Sequence, residues 1–100
     1  MLFIYRTIHS ICGDILKHYG FTLIKPIKSN IHPSVLYRSD DKKCEIQVGY
    51  NYEEDVPFIN MYGKSTDAPV YQNRSEHISP AKKLILFSKS IEKFLQSEAK

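Results

Sequence analysis

Cys44, Ile46, Val48, Tyr50 and Tyr52 alternate with Glu45, Gln47, Gly49 and Asn51, and the run closes on Glu53-Glu54-Asp55. A period of two sends successive side chains to opposite faces of a strand, so this segment predicts one face on a core and one in water. Such a strand needs paired neighbours at its edges and a layer over its apolar face.

Residues 2–19 carry Ile4, Ile8, Ile11, Cys12, Ile15 and Tyr19 at spacings of three and four, which predicts an amphipathic helix with Tyr5 and Leu16 on the margin of its stripe. Gly20 follows as a natural stop, because glycine adopts the left-handed conformation at little steric cost. Phe21–Lys25 predicts a first strand, stopped or placed at an edge by Pro26. Ser34–Ser39 predicts a second, joined to the alternating run by the turn Asp40-Asp41-Lys42-Lys43. Val56–Tyr62 predicts a fourth. A polar stretch from Gly63 to Ile78 follows, with a short extended piece expected at Val70-Tyr71. Ser79-Pro80 then opens a second helix reaching about Gln96, with Leu84, Phe87, Ile91, Phe94 and Leu95 as its buried stripe. The predicted fold is α+β: one domain over residues 1–100, an antiparallel four-stranded sheet packed by an N-terminal and a C-terminal helix, in the order α-β-β-β-β-α.

The charge is uneven. Residues 1–39 hold five Lys/Arg against one acid, residues 40–76 hold four against eight, and residues 77–100 hold five against two. A domain built only to coat nucleic acid would seldom place its middle third at net negative charge. The two cysteines, Cys12 and Cys44, have no metal-ligand spacing and fall on core-facing positions. That favours free buried thiols; a disulfide would require an oxidising compartment. Arg6, Thr7, His9 and Ser10 interrupt the apolar N-terminus, so neither a secretory signal nor a membrane span is expected, and the cytoplasm is the default location.

Chemistry-bearing patterns are sparse. His9, His18, His32 and His77 form no HxH, HxxxH or HExxH spacing, though a fold could bring His32 and His77 together. There is no GxSxG, and four glycines are too few for a phosphate-cradling loop. Asp40-Asp41 and Glu53-Glu54-Asp55 lie at turns, where solvated acids do not acquire the raised pKa that acid–base catalysis needs. No catalytic residue, cofactor or metal is therefore expected. Two binding surfaces are. One combines Asp40, Asp41, Glu53, Glu54 and Asp55 with Tyr50, Asn51 and Tyr52, a composition suited to a basic protein partner. The other is a basic ridge on the last helix, Lys82, Lys89, Lys93 and Lys100, with Leu86 as an apolar anchor. It suits a nucleic-acid-binding or regulatory role, to which Lys83 and Arg74 could add.

The helix closing on Tyr19-Gly20-Phe21, the strand Val35-Leu36-Tyr37-Arg38-Ser39, the alternating Cys44–Tyr52 and the last helix with Leu84, Phe87, Ile91 and Leu95 resemble small bacterial immunity proteins of contact-dependent growth inhibition systems. The resemblance covers most of the chain and carries over no residue role by motif. It implies a non-enzymatic inhibitor that binds a cognate toxin domain, expected here to present a basic surface, without membrane and without nucleic acid as its main partner.

Overall fold

In the computed structural model, which describes residues 3–63, 67–72 and 77–98, the chain runs α1 (Phe3–His18), β1 (Phe21–Ile27), β2 (Ser34–Ser39), β3 (Glu45–Asn51), β4 (Val56–Tyr62) and α2 (Pro80–Glu98). The four strands form one antiparallel sheet in the order β1-β2-β3-β4. This is the predicted α+β architecture, with helices at both ends of the sequence packed on the sheet. Arg74 and Lys100 lie outside the described residues. Val70 and Tyr71 belong to no strand; Tyr71 instead buries its ring edge-on to Phe87 of α2, with centroids 6.1 Å apart.

Each element ends where its sequence provides the means. The Gly20 N–H donates to the Lys17 carbonyl at 3.0 Å, and Gly20 takes a φ of +84°, which turns the chain out of α1. Lys17 and His18 complement the negative end of that helix dipole. At α2 the Ser79 hydroxyl accepts the Lys82 N–H at 3.3 Å, and Pro80 occupies the first helical position, where its missing N–H costs nothing.

One face of the sheet carries the core. Val35 and Tyr37 of β2, Ile46, Val48 and Tyr50 of β3, and Ile59 of β4 are buried there with Phe21 of β1, and Val56 is buried at the start of β4. Tyr5, Ile8, Cys12 and Leu16 cover them from α1, and Leu84, Phe87, Ile91 and Leu95 from α2. The apolar stripe of α1 is therefore rotated from the expected one: Tyr5 and Leu16 are central, whereas Ile4, Ile11, Ile15 and Tyr19 are only partly buried. Burial of Tyr5 is permitted because its hydroxyl accepts the Ser29 N–H at 3.1 Å. On α2, Phe94 is likewise only partly buried. Cys12 and Cys44 are buried free thiols, and burial pushes the Cys12 thiol up to about 12, which keeps it protonated and unreactive.

Among the described residues, the other face carries no helix. There Arg38 pairs with Glu45, and Gln47 donates to Ser34 Oγ at 2.7 Å while accepting the Tyr62 hydroxyl at 3.0 Å. Gly49 sits in the middle of this face, pressed by the Phe58 ring and the Pro33 carbonyl. A Cβ at Gly49 would meet each at 2.5 Å. Because Pro33 O also accepts the Tyr50 N–H, that carbonyl cannot withdraw cheaply. Gly49→Ala should therefore destabilise the fold by about 1–3 kcal/mol, measured by urea denaturation, with Ser90→Ala as an exposed control expected to change little.

Candidate functional site

The two acidic groups expected to share a surface lie at opposite ends of β3. Asp40 and Asp41 belong to the β2–β3 turn, and Glu53, Glu54 and Asp55 to the β3–β4 turn, separated by the strand, about 20 Å at ~3.4 Å per residue. Asp40 faces β1, and Asp41 is occupied with its own turn. Asp40 Oδ1 lies 3.4 Å from the Thr22 hydroxyl, and Asp41 Oδ1 accepts from Ser39 Oγ at 2.6 Å and from the Lys43 N–H at 3.0 Å. The single surface expected from the sequence is thus divided. The β3–β4 end holds the larger share of the predicted residues, and we build the candidate site there.

Asn51 closes β3 and shapes the turn. Its Oδ1 accepts the N–H groups of Glu53 at 2.9 Å and Glu54 at 3.2 Å, so its carbonyl is committed to local geometry rather than to a partner. Asp55 ends the turn with a φ of +57°, a conformation that aspartate adopts more readily than most residues. From that position its carbonyl oxygen accepts from Lys83 Nζ at 2.7 Å, and its Oδ2 lies 3.1 Å from the same nitrogen. Its Oδ1 accepts the Tyr50 hydroxyl at 2.5 Å.

Two sequence expectations are corrected by this network. Tyr50 is 0% exposed and points its hydroxyl to Asp55 from within the core, so it is not a contact residue. Lys83 is not a surface cation: it is 2% exposed, and its ammonium is held by both oxygens of Asp55 that face α2. The spacing carried the signal, because Lys83 stands four residues before Phe87 and eight before Ile91, on the buried stripe itself. Tyr52, by contrast, leaves the inward series. The strand ends at Asn51, so the Tyr52 ring emerges 47% exposed, resting against Tyr50 with centroids 5.2 Å apart.

The loop before β2 completes the site. The Tyr52 N–H donates to the Ile31 carbonyl at 2.9 Å, which sets Ile31, 44% exposed, beside Tyr52. The Ser29 hydroxyl accepts the N–H groups of Ile31 and His32, holding that loop in shape. His32 Nε2 lies 4.0 Å from Glu53 Oε1, and its ring meets Phe58 edge-on. His77 also lies near this end, and its charge contributes to lowering Asp55. The assembled surface is a pair of exposed apolar side chains flanked by Glu53 and Glu54, on backbone fixed from below.

The ridge on α2 is altered in two ways. Lys82, Lys89 and Lys93 are exposed, but Leu86 is partly buried against the core, and Ile85 is the exposed apolar residue of that helix. On α1, the His9 Nδ1 and the Tyr37 hydroxyl lie 2.9 Å apart, beside a cleft of about 300 Å³ lined by Gly13, Leu23 and Lys17 among others. Burial, with a smaller contribution from Cys12, raises the Tyr37 pKa, so that hydroxyl keeps its proton. Among the described residues no three His, Cys, Asp or Glu converge as metal ligands, and no helix is long and apolar enough to cross a membrane. Comparison with protein families, curated proteins and solved structures found no match.

The hydrogen bond from Tyr50, followed by Lys83, holds the Asp55 carboxyl below its ordinary value of 3.8. A lowered carboxylate stabilises the fold above its unfolded pKa, and the contribution is lost as pH falls through the folded value. The Asp55 side chain is 65% exposed, so solvent screens much of this. Asp55→Asn should remove part of the stability loss that the parent shows below about pH 4, read as a flatter acid limb in urea midpoints against pH. Lys83→Met should cost about 1–3 kcal/mol at pH 7, because it leaves the Asp55 carbonyl without its charged donor.

Proposed function

We propose that this chain is a non-enzymatic recognition protein that binds and neutralises a basic protein domain, as an immunity protein does its cognate toxin, through the β3–β4 end. The observation that carries the reading is the pairing of Tyr52 and Ile31, exposed side by side on hydrogen-bonded backbone and flanked by Glu53 and Glu54. Apolar anchors on a rigid base are what interface cores use, since little side-chain entropy remains to be lost on docking. Acids around such anchors raise the rate at which a cationic partner is captured and orient its approach.

The internal network supports this reading by rigidity. Asn51 holds the turn from within, and Lys83 fastens it to the first turn of α2, so the acidic groups are presented by a fixed backbone rather than by a mobile loop. Asp40 and Asp41, at the far end, have no part in this contact.

The partner to test is the product of the gene next to this chain's own, provided that it carries a basic domain. Co-expression should restore growth of cells producing that domain, and the purified pair should form a complex. Glu53→Gln with Glu54→Gln should slow association about tenfold at low salt and flatten its salt dependence, with dissociation nearly unchanged. Tyr52→Ala should act mainly on dissociation, accelerating it by about tenfold or more. Association and dissociation rates that stay at parental values in both variants would place the contact elsewhere.

A further inference from the structure

The uncovered face of the sheet holds a feature that the acidic end leaves unused. At the other end of β3, a cleft of about 370 Å³ opens between the β2–β3 turn and the end of β4. Arg38, Lys42, Lys43, Glu45 and Tyr62 line it. Three cations meet one carboxylate, and that carboxylate is already engaged: Glu45 Oε2 accepts from Arg38 Nε at 2.9 Å and lies 2.8 Å from Nη2. Among the described residues neither Lys42 nor Lys43 has an ion-pair partner, and Asp41 spends its Oδ1 on the turn. Two ammonium groups thus line the cleft without a direct ion pair, in a region that is acidic by composition.

Its aromatic wall is held in place. Tyr62 is 50% exposed, and its hydroxyl is tied across the strands to Gln47, which keeps the ring over the open face. A fixed ring beside two ammonium groups without ion pairs and a guanidinium that Glu45 holds in place matches one ligand chemistry well, a planar base joined to a phosphate. The ring takes the base by stacking, and the cations take the anion by charge-assisted hydrogen bonds.

We propose that this cleft binds a nucleotide, with its base stacked on Tyr62 and its phosphate among Lys42, Lys43 and Arg38. Two sources offer that chemistry, a free mononucleotide and the phosphorylated end of a single strand. The sheet has room for the second. Phe58 and Asn60 follow Tyr62 on the same outward row of β4, and Asn60 shares a neighbouring cleft of about 330 Å³ with Gln47 and Asn51. The exposed Asn60 amide there suits the edge of a base. Beyond that cleft stand Glu53 and Glu54, which repel phosphate and limit any strand to a few nucleotides. The site is independent of protein docking at the acidic end and uses different residues.

The test is amide chemical-shift titration at low salt with AMP, adenosine, inorganic phosphate and a 5′-phosphorylated octa-adenylate. AMP should give saturable shifts at Lys43, Glu45, Tyr62 and Gly63, with adenosine and phosphate each weaker by about tenfold or more. Lys42→Asn with Lys43→Gln should weaken AMP by about tenfold and reduce its salt dependence; Asn is chosen because Lys42 has a φ of +63°, which Asn tolerates. Tyr62→Leu should erase the preference for AMP over phosphate. An octa-adenylate that binds more tightly than AMP and extends the shifts to Phe58 and Asn60 identifies a strand end; equal affinity identifies a free nucleotide. No saturable shift at about 5 mM AMP, a weak affinity by the usual free-energy scale, would overturn the proposal. So would shifts that persist unchanged in the double lysine variant.

Discussion

The contact between Lys83 and Asp55 ties the first turn of α2 to the β3–β4 turn. A lysine on the buried stripe of α2 is costly unless its charge is matched, because desolvating an ammonium takes several kcal/mol. Here the match comes from one residue in two ways, a backbone carbonyl at 2.7 Å and a carboxylate at 3.1 Å. Supplying both requires Asp55 to turn its main chain inward while its side chain stays at the surface, which its left-handed conformation allows. The carboxylate then has an oxygen left for the Tyr50 hydroxyl, so the deepest aromatic of β3 is satisfied by the same residue. Helix α2, the β3–β4 turn and the core of the sheet are thereby fixed relative to one another, and the exposed residues of that turn inherit the constraint.

The sequence was legible where hydropathy and geometry agree. All six elements form where periodicity and punctuation predict, because a half-buried strand and an amphipathic helix each have one sensible way to bury their apolar residues. It was less legible where polar atoms decide burial. Tyr5 outranks Ile4 in the core because the Ser29 amide meets its hydroxyl. Lys83 goes inside, against its class, because a partner waits there. Both partners come from loops distant in sequence, whose positions no local pattern reports. Tyr50 and Tyr52 show the same limit, since the end of β3 at Asn51 separates two tyrosines that the alternation alone treats as equivalent.

Composition misled in one further respect. The acidic middle third reads as one patch along the chain, but a strand separates its two turns and carries their charges to opposite ends of the sheet. At one end, acids face solvent beside apolar anchors. At the other, Asp41 shapes its turn, Glu45 pairs with Arg38, and Lys42 and Lys43 stand between them, so acids and bases are mixed there. Charge counted along a sequence is therefore a poor guide to the field around an antiparallel sheet, in which each turn stands opposite the next.

The first strand has a consequence of another kind. Between Leu23 and Lys25 the pairing with β2 skips a residue, and Pro26 brings no N–H to the outer border. A border that is kinked and lacks a donor cannot serve as a template for a stranger's strand. That side of the sheet thus closes without a covering element, and a neighbouring chain finds no strand there to zip onto.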